Sequence, residues 1–206
     1  IMIGGSAGLR MMIALASRAP PTVSSERAVA VVNSSMFWRV PGPAEREGSG
    51  DVLEVRGDVG WTAWISCAGH LPWGQPTDQR RDDADSLTWD LDPDELEIAG
   101  HALLRLSLTS SEPVATVAAR IEDVATDGTS TLVTRGTLNL TRRNGMDQVE
   151  ALEKNTVYDV EIELEATAWS WRPGHTLRLA VAGADWPNTV APPRPVTLSI
   201  RSGHLL

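Results

Sequence analysis

The sequence predicts a mainly β protein: a jelly-roll β-sandwich preceded by a short N-terminal α/β unit of βαβ type. Three observations carry this. In Val157–Ala166, "VYDVEIELEA", Val160, Ile162 and Leu164 alternate with Asp159, Glu161, Glu163 and Glu165. In "HTLRLAV", Leu177, Leu179 and Val181 alternate with Thr176, Arg178 and Ala180. Such period-two patterns mark strands with one face in a core. Between two further apolar runs, Asp127-Gly128 is a hairpin signal.

The elements follow in order. Ile1–Ile3 reads as a short strand, Gly4–Gly8 as a tight turn and Leu9–Ala19 as a helix, because Leu9, Met12, Ile13 and Ala16 share one helical face. Pro20-Pro21 stops that helix. Ala28–Val32 is a continuous apolar run, the pattern of a strand buried on both faces. This places an α/β segment over 1–40. "VPGPAEREGSG" then supplies a linker over 41–56, and the sandwich is expected over 57–206. Expected strands are Val52–Val55, Trp61–Ser66, Leu87–Leu91, Ala102–Leu108, Val114–Val124, Ser130–Leu140, Val157–Thr167, His175–Ala182 and Pro195–Arg201. With no convincing helix among them, they read as two stacked antiparallel sheets.

Composition narrows the function. A net charge of −9 argues against a nucleic-acid partner, which requires a basic face. No apolar run reaches the roughly 18 residues of a membrane span, so no membrane partner is expected. One cysteine, Cys67, excludes an internal disulfide framework, and a cytoplasmic location is the expectation. No metal or cofactor motif occurs, and the expectation is none of either. The carboxylates Asp82, Asp83, Asp85, Asp90, Asp92, Asp94, Glu95 and Glu97 read as a solvated acidic belt. The first residue is Ile and the first strand is short, which suggests an N-terminus cut from something longer.

Gly4-Gly5-Ser6-Ala7-Gly8 has the G-x-S-x-G spacing of a nucleophile elbow, where a strained turn lifts Ser6 Oγ clear and the Ala7 amide can face an oxyanion. A triad then needs an acid and a histidine downstream. Of the four histidines, His101 and His175 read as structural and His204 lies in the tail; His70, in "CAGHLPWGQP", is the candidate base. Eight tryptophans stand against one tyrosine and one phenylalanine. Core packing is the first reading for them. Trp169, Trp171 and Trp186 are the candidates for a binding surface, since galactose-binding-like sandwiches stack sugars on tryptophan.

The stretch Asp78–Arg143, running from "DQRRDDADSLTWDL" through "EDVATDG" to "GTLNLTRR", resembles the C-terminal jelly-roll domain of X-Pro dipeptidyl-peptidases and cocaine-esterase-like (CocE/NonD) hydrolases. "RPGHTLRLAVAGADWPN" and "PPRPVTLSI" are similar to that domain's closing strands, so the resemblance covers roughly 57–201. The order elbow, helix, Pro-Pro and strand resembles the same family's α/β-hydrolase domain, although Ala7 stands where an aromatic is usual. The resemblance implies a serine hydrolase acting on peptide, ester or amide acyl bonds of a small substrate, with Ser6 as nucleophile. It also implies a remnant of the catalytic domain at the N-terminus and a jelly roll that packs on that domain. The segments expected to carry acid and base are missing between elbow and sandwich. The chain alone is therefore expected to be inactive and to associate with a catalytic domain, or with itself through Met11, Met12, Ile13 and Val29–Val32. The alternative is a carbohydrate- or protein-binding module without hydrolase activity.

Overall fold

The structure, a computed structural model, describes residues 12–14, 38–39, 50–63, 78–93 and 96–206. Among them the strands are β1 (Met12–Ala14), β2 (Trp38–Arg39), β3 (Asp51–Glu54), β4 (Leu87–Leu91), β5 (Glu97–Gly100) and β6 (Leu103–Ser110). They continue with β7 (Thr116–Val124), β8 (Ser130–Asn139), β9 (Tyr158–Glu163), β10 (Thr167–Ser170), β11 (Thr176–Ala182) and β12 (Thr197–Leu205). One helical turn, α1 (Arg80–Asp83), and 3-10 turns at Trp61–Ala63 and Leu140–Arg142 complete the set.

All described pairings are antiparallel. One sheet runs β4-β11-β7-β8 and a second runs β2-β12-β6-β9 with β3 also on β12; a small third sheet runs β1-β5-β10. Alternation supplies the shared core. Leu104, Leu106 and Leu108 of β6, Val160 and Ile162 of β9, and Leu198 and Ile200 of β12 face Val117, Ala119 and Ile121 of β7 and Leu177, Leu179 and Val181 of β11. At Arg201 the β12–β6 register slips by one residue, and the extra residue resets the alternation so that Leu205 also reaches the core. The protein is thus the expected mainly β sandwich.

Three local expectations differ. Met12–Ala14 is a strand on the edge of β5, not part of a helix over Leu9–Ala19. A short apolar run satisfies a helical period and a strand equally, and the open edge of β5 offers it backbone partners. The rest of that expected helix, Ile1–Ile3 and Ala28–Val32 lie outside the described residues. The expected strand Val52–Val55 is present as Asp51–Glu54, paired with Thr197–Ile200 of β12. Trp61–Ala63 is a 3-10 turn rather than the start of a strand, because Thr62 is tied down on both sides. Its N–H donates to Asp82 Oδ2 at 2.7 Å, its hydroxyl donates to the same oxygen, and its carbonyl accepts from Gln79 Nε2 at 2.7 Å. Finally, Val157–Thr167 divides into β9 and the start of β10 around Leu164, whose side chain is buried. Gly136 permits this crossing: a Cβ there would sit 2.5 Å from the Glu163 carbonyl oxygen.

Candidate functional site

Ser6, Ala7 and His70 lie outside the described residues, as do Cys67, Asp94 and Glu95. The remaining histidines have placed partners. His101 Nδ1 is 2.9 Å from the Leu164 carbonyl, fastening β5 to the end of β9. His175 Nδ1 is 2.7 Å from Asp123 Oδ1, and the other Asp123 oxygen accepts from Trp169 Nε1 at 3.0 Å. This chain joins the β10–β11 turn to the end of β7. His204 lines a shallow open groove of about 360 Å³ with Arg105, Ser107, Asp159, Glu161 and Ser202, on the outer face of β6, β9 and β12. Arg105 Nε donates to Glu161 at 2.8 Å across that groove.

The three candidate tryptophans separate. Trp171 is 2% exposed in the core, beyond the end of β10, with its backbone N–H donating to the Leu96 carbonyl at 3.0 Å. Trp169 packs against the same core and spends its indole N–H on Asp123. The Trp171 ring is enclosed, whereas Trp169 is half-buried. Trp186 is 43% exposed.

Trp186 belongs to an exposed face whose other members, Trp61 among them, the sequence did not single out. Its N–H donates to the Val59 carbonyl at 2.7 Å, which lays the loop after β11 beside the loop after β3. Gly60 makes this approach possible: its φ is +113° and a Cβ would meet Trp186 N at 2.5 Å. One residue on, Trp61 is 51% exposed, with the Arg81 guanidinium of α1 5.9 Å from its ring centroid. Val190 is also exposed, and Arg56 pairs with Asp58 at 3.0 Å and Asp85 at 3.5 Å nearby in sequence to these loops. Exposed aromatics beside arginine are the composition of an interaction surface.

Beneath it the outer face of β7 and β11 is buried and charged. Arg120 and Glu122 project from it and α1 covers them, so Asp82 and Asp83 are buried rather than members of a solvated belt. Arg120 Nε donates to Glu122 at 2.9 Å and its Nη2 donates to Asp83 at 3.1 Å. Arg178 holds Asp90 through two bonds of 2.7 and 2.8 Å and reaches Asp83 at 3.1 Å. Burial pushes the Glu122 carboxyl up to about 7, against the opposing pull of Arg120. Burial likewise raises Asp185, which accepts from Arg135 at 3.4 Å and Asn188 at 3.1 Å. The sequence signal for this network was the polar alternation of Arg120 and Glu122 inside a long apolar strand, matched by Arg178 on the neighbouring strand.

Among the described residues no cluster of histidine, cysteine and carboxylates could hold a metal ion, and no helix is long and apolar enough to cross a membrane.

Comparison with known proteins places this architecture. A Mycobacterium bovis protein described as a serine esterase is 26% identical over 144 residues, covering 61% of this chain and 22% of that protein. The cocaine esterase of Rhodococcus sp. (strain MB1 Bresler) is 28% identical over 116 residues, covering 54% of this chain and 20% of the esterase. The chain thus spans about a fifth of these relatives' length. Among solved structures, an α-amino acid ester hydrolase superposes with a TM-score of 0.68 at 15% identity, over 78% of this chain and 32% of that one. An aminopeptidase from a marine sediment Thaumarchaeota archaeon gives 0.59 at 20% identity, over 76% and 32%. These likenesses establish a shared fold. Residues 15–205 match the family described as the X-Pro dipeptidyl-peptidase C-terminal non-catalytic domain, a span that begins just after β1 and takes in part of the segment assigned to an α/β unit. The chain belongs to that family of C-terminal non-catalytic domains.

Proposed function

We propose that this chain serves as the non-catalytic C-terminal domain of a serine hydrolase of the X-Pro dipeptidyl-peptidase and cocaine-esterase type, acting on peptide, ester or amide acyl bonds. The observation that carries the reading is the family match over residues 15–205, joined to a sandwich in which His101, His175, Asp123 and Asp83 make structural contacts. The domain division into 1–40, 41–56 and 57–206 enters as part of this proposal, with the first segment a remnant of the catalytic domain. In the parent reaction Ser6 Oγ passes its proton to the base and attacks the substrate carbonyl, the Ala7 amide stabilises the oxyanion, and an acyl-enzyme forms as the bond to the leaving group breaks and the base returns the proton to that group. Acid and base would come from catalytic-domain segments that this chain does not contain. The partner is accordingly an α/β-hydrolase domain, and the exposed Trp61–Trp186 face is the aromatic surface available for it.

Hydrolysis of p-nitrophenyl acetate and of an X-Pro-nitroanilide, by the chain and by its Ser6→Ala variant, tests this. Rates equal to buffer in both support it. Turnover abolished by Ser6→Ala overturns it in favour of a self-sufficient hydrolase with His70 as base. The exposure of Trp61 and Trp186 favours one second reading, a binding module without hydrolase activity; saturable glycan binding lost in Trp186→Ala would select it.

A further inference from the structure

One guanidinium in the buried network serves two masters. Arg120 is joined to its own strand through Glu122 Oε1 at 2.9 Å and to α1 through Asp83 Oδ1 and Ser86 Oγ, both at 3.1 Å. Glu122 has no exposed surface, and its second oxygen accepts from Ser130 Oγ of β8 at 2.7 Å. The charged groups around it come from every neighbouring element. Asp82 and Asp83 face it from α1, Arg178 from β11 with Asp90 of β4 behind it, and Asp185 from the loop after β11, held by Arg135 of β8.

We propose that this cluster is a proton-controlled latch. A proton on Glu122 leaves the Arg120 charge to Asp83 and seats α1 on the sheet; loss of that proton divides the charge between two carboxylates and loosens α1. The repulsion between ionised Glu122 and Asp83 acts in the same direction, and in a water-poor site it is weakly screened. The proposal rests on this geometry and not on the docking reading. Its consequence does reach the exposed face, because α1 carries Arg81 over Trp61 while Asp82 holds Thr62.

The sign follows from linkage. The seated state holds its proton up to about pH 7, whereas Glu122 opened to water titrates near its ordinary value of 4.5. Seating therefore weakens as pH rises between those two values and levels off above the upper one. One proton released on opening makes the opening equilibrium about tenfold more favourable at pH 8 than at pH 6.

Hydrogen exchange of the intact chain at pH 6 and pH 8, corrected for intrinsic chemical exchange, tests the latch. Amides of residues 82–86 should lose about tenfold in protection at pH 8 while those of β6 and β12 keep theirs. Glu122→Gln, a neutral isostere, should hold α1 seated at both pH values. Infrared detection of a protonated buried carboxyl in the unmodified chain decides the matter even where that variant fails to fold: the band should be present at pH 6 and gone at pH 8. Equal protection at both pH values, a pH effect that survives Glu122→Gln, or no protonated carboxyl at pH 6 would each overturn the proposal.

Discussion

Arg120→Met isolates what the buried network contributes. Methionine preserves much of the aliphatic volume, so the change removes charge and donors more than packing. It strips Glu122, which has no exposed surface, of the Arg120 guanidinium and, among the described residues, leaves it the Ser130 hydroxyl. Asp83 loses one partner but keeps Arg178 at 3.1 Å. Removing one side of a buried ion pair costs about 3–5 kcal/mol, against a total of about 5–15 kcal/mol for a typical domain. For a domain of this size that corresponds to a Tm lower by about 6–20 °C. The loss should be smaller near pH 5.5 than near pH 8, because at the lower pH Glu122 is protonated and no bare carboxylate is left behind. Urea unfolding at the two pH values, with unchanged m, measures both numbers. A loss below about 1 kcal/mol at pH 8, or one as large at pH 5.5, would refute the assignment of Arg120 as the neutralising charge.

Trp171→Ala should cost about 3–5 kcal/mol, as expected for a buried aromatic, whereas Trp186→Ala should stay within about 0.5 kcal/mol; equal costs in denaturant titration would contradict their placement. Gly136→Ala drives a Cβ to 2.5 Å from the Glu163 carbonyl and should cost about 1–3 kcal/mol, read as a lower urea midpoint. Asp82→Asn leaves volume intact but weakens the acceptor shared by the Thr62 N–H and hydroxyl; faster exchange of the Thr62 amide is expected, and an unchanged rate would show that this bond does not hold the turn.

Much of the sandwich was legible because alternation is a local property. Leu87–Leu91 coincides with β4, and the alternation of Val160 with Ile162 and of Leu177 with Leu179 and Val181 assigns each to the core as observed. What was illegible depends on distant partners. Trp61–Ala63 has strand-like residues, yet Asp82 and Gln79, about twenty residues on, bend it into a turn. Asp82 and Asp83 read as solvated because acidic runs usually are; only the arrival of Arg120 and Arg178 beneath α1 makes their burial tolerable. Trp169 and Trp186 are equivalent as letters, and their opposite exposures arise from a strand facing the core in one case and a loop crossing Val59 in the other. The catalytic reading of Ser6 and His70 rests on residues outside the described structure, and so it comes from motif and resemblance alone.

As the proposed non-catalytic partner of a hydrolase, this chain is expected to carry no activated serine of its own. A fluorophosphonate probe tests it most directly, since an activated serine Oγ forms a bond to phosphorus and expels fluoride. Incubation of the folded chain with the probe, followed by intact-mass measurement, should give the unmodified mass. A stoichiometric adduct mapped to Ser6 and absent from Ser6→Ala would contradict the account.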